Sequence, residues 1–209
     1  MKKIISILIA SSFLACPAYA GGMIGVKVGH GDLDGKRTVD GSHGITTKAE
    51  GSISSEYGAV FAEFSVSDMF SVGVELVPFD AVIDTEASTT TDTHATISDF
   101  TTLYALVPMG GDGVYGKIGY SHADLAVQAN YNTVTVGAHS DSLEGPMIGL
   151  GIQFDSPLPF LDVLRVEGNY YDFDTVNITT TNTTGTAQTT SKEGEAELMT
   201  ISLSIAKSF

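Results

Sequence analysis

Beyond its first twenty residues the chain has no apolar run that reaches the roughly 20 residues a membrane-spanning helix needs, yet short segments along its length alternate apolar and polar side chains. A period of two marks a strand with one oily face and one wet face. A chain of this kind can enter a membrane only as a closed β-barrel, because lipid offers no hydrogen-bond partner to a free backbone edge. Three such segments come early. Ile24, Val26 and Val28 alternate with Gly25, Lys27 and Gly29; Val60, Ala62, Phe64 and Val66 with Tyr57, Ala59 and Glu63; Val72, Val74 and Leu76 with Gly73 and Glu75.

A fourth segment, Asp99 to Val107, is apolar on both faces and leaves its facing open. It ends at Pro108-Met109-Gly110-Gly111-Asp112-Gly113, a turn by composition. Beyond it Val114, Ile118 and Tyr120 oppose Lys117, Gly119 and Ser121, and Ile148, Leu150, Ile152 and Phe154 oppose Gly149, Gly151 and Gln153. Pro157 and Pro159 interrupt the chain before Leu164, Val166 and Tyr170 oppose Arg165, Glu167 and Asn169. Met199, Ile201, Leu203 and Ile205 against Thr200, Ser202 and Ser204 complete a set of eight. Long polar links near 32 to 54, 81 to 98, 125 to 143 and 174 to 192 alternate with short Gly, Pro or Asp turns. The expected fold is therefore all-β: an eight-stranded antiparallel up-and-down transmembrane β-barrel with long extracellular loops and short periplasmic turns. The long links, rich in Thr, Ser, Asp and Gly, are expected to be weakly structured.

The N-terminus points to export. Lys2 and Lys3 precede an apolar run from Ile4 to Ala10, and Ala18-Tyr19-Ala20 has the small-x-small form of a cleavage site, so residues 1–20 read as a removed signal and 21–209 as the barrel domain. The single cysteine, Cys16, leaves with the signal; a lipid attachment there is disfavoured by Phe13-Leu14 before it and Pro17 after it. The mature chain then has no disulfide, thiolate metal site or thiol catalysis. Without Lys2 and Lys3, eight of the 10 basic residues face 25 acidic ones, a formal charge of −17. Nucleic acid is excluded as a partner, since it needs a cationic footprint. Disorder is excluded as well, because 43% of the residues are hydrophobic and only 17% charged.

Alternation alone does not separate a soluble barrel, oily inside, from a membrane barrel, oily outside. The polar face does: it carries Lys27, Glu63, Glu75, Lys117, Arg165 and Glu167, three charges of each sign. In a narrow eight-stranded lumen these six are expected to meet and pair, because a lone charge there is costly. Phe79, Phe100, Tyr104, Phe154, Phe160, Tyr170, Phe173 and Phe209 fall near strand ends and are candidates for interfacial girdles.

The last residues, Ile201-Ser202-Leu203-Ser204-Ile205-Ala206-Lys207-Ser208-Phe209, resemble the terminal strand of bacterial outer-membrane proteins, with Lys207 standing where an apolar residue is usual. The likeness implies that Ile201, Leu203, Ile205 and Phe209 form the signal read by the barrel-assembly machinery. Lys207 would snorkel to the headgroups. Val114 to Ser121, Gly149 to Phe154 and Arg165 to Tyr171 look like strands of small OmpA-type and OmpX-type barrels, a resemblance that covers the mature chain. The first strand departs from it by lacking aromatics between Gly22 and Gly31.

The resemblance implies a non-enzymatic outer-membrane protein with a structural or surface-contact role. Its expected partners are outer-membrane lipid and lipopolysaccharide, the assembly machinery, and an unidentified extracellular molecule; a monomer without cofactor is expected. A narrow or gated pore is the alternative, and a lipid A-modifying enzyme a more distant one. Two clusters bear on the enzyme, Ser121-His122 with Asp124, and His139-Ser140-Asp141. Neighbours on a strand face opposite ways, so Ser121 and His122 are poorly placed to pair. Asp32-Leu33-Asp34-Gly35 lacks the later acidic ligand of a calcium loop and reads as a solvated turn. The sequons at Asn177 and Asn182 are uninformative in a bacterial barrel.

Overall fold

The computed structural model describes residues 21–40, 46–67, 69–88, 91–110, 112–131, 134–182 and 188–209, and toward the tips of the long hairpins largely the backbone alone. The proposed signal, with Cys16 and the cleavage residues Ala18 and Ala20, lies outside these residues. The strands are β1 (Gly22–Asp40), β2 (Thr46–Ser67), β3 (Phe70–Leu76), β4 (Ala81–Ser88), β5 (Thr91–Pro108), β6 (Val114–Tyr131), β7 (Val134–Asp155), β8 (Val163–Asn182) and β9 (Gln188–Ser208). Every pairing is antiparallel, in the order β3-β2-β1-β9-β8-β7-β6-β5-β4, and a further β3–β5 pairing closes the sheet. Both β3 and β4 pair with β5 and together make one stave, so the barrel has eight staves. The break at Val77-Pro78-Phe79-Asp80 follows from Pro78, which has no N–H to give a ladder.

Short connections gather at one rim and long hairpins at the other. At the short rim Met109 N–H donates to the Val114 carbonyl (3.0 Å), with Gly110 and Gly113 at φ 84° and 82°, a conformation glycine adopts without strain. The links expected to be weakly structured are instead strand extensions: β1 and β2 stay paired up to Asp40↔Thr46, and β8 and β9 up to Asn182↔Gln188. Their Thr and Val content suits a strand, and a backbone already in a ladder extends it at little added entropy. Asp32 to Gly35 likewise continue β1, where Ser54 Oγ–H donates to Asp32 Oδ1 (2.5 Å).

Side-chain facing follows the alternation with one shift. Ile148 and Leu150 are 60% and 62% exposed on the outer wall, while Lys117 and Glu75 are each 1% exposed in the lumen. On β5, Thr102, Tyr104 and Leu106 face inward and Leu103 and Val107 outward. A bulge between Ser98 and Thr101, with Asp99 at φ 54°, then inverts the register, and both Ile97 and Phe100 pack against the interior cluster. The fourth segment reads as apolar on both faces because its inward side chains, Phe100, Tyr104 and Leu106, are as apolar as the outward Leu103 and Val107.

Four inward aromatics each lie over a glycine that is their direct cross-strand partner: Phe61 over Gly25, Tyr57 over Gly29, Tyr104 over Gly73 and Tyr115 over Gly151. A Cβ on Gly73 would stand 2.5 Å from the Tyr104 ring. Glycine thus makes room for rings that an eight-stave lumen could not otherwise hold.

Candidate functional site

The lumen has three layers. Nearest the short rim, Phe61, Val163 and Ala206 pack with Met23. The middle layer holds the six charged side chains, delivered by β1, β2, β3, β6 and β8. Lys27 Nζ donates to Glu75 Oε2 (2.6 Å) and to Glu167 Oε2, and Lys117 Nζ donates to the same two oxygens at 3.0 and 3.3 Å. Arg165 pairs separately with Glu63 at 2.6 Å while its Nε donates to Gln153 Oε1 at 2.9 Å. The six therefore meet as a quartet and a pair, and every charge has an opposite partner.

Alternation pointed to the charges but not to the neutral groups that complete the layer. The Tyr104 hydroxyl donates to Glu63 (2.8 Å) and the Tyr115 hydroxyl to Glu167 (2.7 Å). Lys117 Nζ lies 3.9 Å from the Tyr104 ring centroid and the Arg165 guanidinium 5.2 Å from that of Tyr115. Tyr104, a girdle candidate by its place near a strand end, lies inside the lumen instead, because the glycine opposite it, Gly73, leaves room for its ring. Phe173 and Phe100 also leave the girdle. Phe173 is buried, and Phe100 meets Tyr171 edge-on at 5.6 Å between centroids, in the third layer with Leu143, Met147 and Leu198. Phe154, Phe160 and Phe209, toward the short rim, and Phe79, at the β3–β4 break, are exposed.

The candidate catalytic cluster separates across the wall. Ser121 Oγ shares a 2.9 Å hydrogen bond with Thr102 Oγ1 in the lumen, whereas His122 Nδ1 faces Glu144 Oε1 at 3.0 Å and Nε2 lies 3.5 Å from Asp124, all partly exposed on the outer face. A base on one side of a strand cannot activate a hydroxyl on the other. The side chains of His139, Ser140 and Asp141, and of Asn177 and Asn182, lie outside those described.

On β9, Ile201, Leu203 and Phe209 are exposed on the outer face, and Ile205 points the same way. Lys207 makes a contact other than the headgroup one expected of it: its Nζ donates to Asp162 Oδ1 at 2.9 Å, and the Ser208 N–H donates to Asp162 Oδ2 at 2.8 Å. These bonds, that from Lys207 first, hold the Asp162 carboxyl below its ordinary range. They clasp the C-terminal strand to the β7–β8 turn.

A closed antiparallel barrel with an apolar outer wall and paired charges inside is a transmembrane barrel of the outer-membrane type, for only lipid tolerates that outer wall and only a narrow lumen that interior. A solved structure of such a barrel shares the fold. OprG of Pseudomonas aeruginosa is 12% identical and superimposes with a TM-score of 0.52 over 90% of this chain and 96% of its own. The attachment invasion locus protein Ail of Yersinia pestis, 13% identical, gives 0.47 over 90% of this chain and 99% of its own. No protein-family model and no curated protein sequence matches the chain.

Proposed function

We propose that the protein is a non-enzymatic structural barrel of the bacterial outer membrane, closed to ions across its lumen, with its short turns in the periplasm and its long hairpins exposed for contact with the surroundings. The observation that carries this reading is the charge layer. Its six members come from five strands and pair across the lumen, so an ion would have to displace a lysine or arginine from carboxylates that hold it at 2.6 to 3.3 Å. Opening such a layer leaves charges unpaired in a narrow, buried interior, which is costly. This favours a plug over a pore, and the separation of Ser121 from His122 removes the best-placed candidate for a nucleophile and base.

The layer also guards assembly. Sliding any contributing strand by one residue would turn its charge toward lipid, so the arrangement penalises wrong registers more heavily than an apolar filling would. The outer belt contacts lipid and lipopolysaccharide, and the Ile201, Leu203, Ile205 and Phe209 edge serves the assembly machinery. A monomer suffices, since the closed sheet has satisfied its own edges around the membrane belt.

Two measurements test the reading. Purified protein in planar bilayers is expected to give no conductance steps; reproducible steps from the native sequence overturn the plug. For orientation, Thr175→Cys near the long rim is expected to react with a membrane-impermeant maleimide on whole cells, and Leu158→Cys at the short rim only after lysis. The reverse pattern overturns the assignment of faces.

A further inference from the structure

Above the charge layer, toward the long hairpins, the inner wall becomes apolar. Leu33, Phe100, Leu143, Tyr171, Phe173 and Leu198 border a cavity whose floor is formed by Tyr57, Glu75 and Ser202. The cavity and the outer-wall crevice beside it, bordered by the outward-facing Val28, Val166, Ile201 and Leu203, together span about 1010 Å³, so the lumenal part is smaller. The Tyr171 and Phe173 rings stack at 6.1 Å, giving one side of the cavity a rigid aromatic surface.

Two polar atoms at the floor lack a hydrogen bond of good geometry. The Tyr57 hydroxyl and Ser202 Oγ are buried without a hydrogen bond, although Ser202 is only 5% exposed. Tyr57 points toward Thr200 and Ser202 without making a bond of good geometry. Buried hydroxyls left this way are uncommon and cost free energy, so a partner entering the cavity would be rewarded there. Glu75, beside them, is already engaged by Lys27 and Lys117.

We propose that this cavity is a binding site for a small amphipathic molecule, apolar in body and ending in an uncharged hydrogen-bonding group such as a hydroxyl or amide. The body lies against Phe100, Tyr171 and Phe173, and the head group reaches Tyr57 and Ser202. The charge layer selects against a charged head. Its three cations and three carboxylates balance, so it has no net charge to offer, and a carboxylate would arrive beside Glu75 without a free cation to meet it. This site does not depend on any role of the hairpins.

The test uses the mature protein in lipid nanodiscs with labelled leucine methyls, titrated with 1-octanol, octanoate and octane. With 1-octanol, saturable shifts are expected at Leu33, Leu143 and Leu198, while the lipid-facing Leu150 drifts linearly. Octanoate and octane are expected to bind at least tenfold more weakly, on the order of one lost hydrogen bond or one misplaced charge. Tyr57→Phe and Ser202→Ala, small changes the barrel should accommodate, are each expected to weaken 1-octanol about three- to tenfold. Absence of saturable shifts, equal affinity for octanoate, or indifference to both substitutions would each overturn the proposal.

Discussion

Replacing Arg165 by methionine probes the charge layer at its simplest point. Arg165 meets Glu63 at 2.6 Å and Gln153 at 2.9 Å, and Glu63 has one other side-chain bond in the layer, from the Tyr104 hydroxyl at 2.8 Å. Methionine keeps the packing against Phe61 and Tyr115 but leaves the Glu63 carboxylate buried without its cation. Breaking a buried pair from one side costs about 3–5 kcal/mol. For a chain of this length each kcal/mol shifts the midpoint by about 2–4 °C, so Arg165→Met is expected to melt roughly 10 °C lower in detergent, followed by the loss of heat-modifiable migration. Adding Glu63→Gln removes the stranded charge while keeping an acceptor for Tyr104, and the double variant is expected to recover most of the loss, with a coupling of about 2–3 kcal/mol. Because the pair is shielded from solvent, high salt should leave these differences unchanged. An Arg165→Met protein as stable as the parent, or a double variant less stable than the single one, would refute the reasoning.

Three further expectations follow from other parts of the wall. Leu150→Arg places a charge on the lipid face and is expected to cost about 2–4 kcal/mol if that position lies near mid-bilayer, read by urea titration after refolding into lipid vesicles; a neutral result would argue that the outer wall is not in lipid. Gly73→Ala drives a Cβ to 2.5 Å from the Tyr104 ring, for an expected loss of about 1–3 kcal/mol, and Tyr104→Leu in the same chain should relieve part of it; no loss would mean the ring moves freely. The Asp162 clasp should respond to acid. Its carboxyl titrates below the ordinary value in the folded chain, so its contribution is complete above about pH 4 and fades as pH falls through the lower folded value. Amide exchange at Ser208 should accelerate across that window in the parent and be fast throughout in Asp162→Asn; a parent profile flat with pH would refute the clasp.

Much of this protein is determined by local alternation. A period of two decides, without reference to any neighbour, that Lys27, Glu75, Lys117, Arg165 and Glu167 share a face opposite Ile24, Val72, Ile118 and Val166, because successive side chains on a strand must point opposite ways. What alternation cannot supply is a partner. Lys27 meets Glu75 and Glu167 from 48 and 140 positions away, a match set by barrel closure and stagger rather than by spacing. The same limit explains the errors. Tyr104 and Phe173 fall near strand ends, but whether an aromatic belongs to a girdle or to the lumen depends on the residue facing it across the ladder, such as Gly73 opposite Tyr104. The Asp99 bulge inverts β5 at a point no periodicity announces, and the hairpin extensions arise because strands already paired at the wall carry their ladders outward. Composition and period thus settle which side chains meet lipid; only the closed sheet decides which of the others touch, since contact across a lumen is a property of the whole circumference.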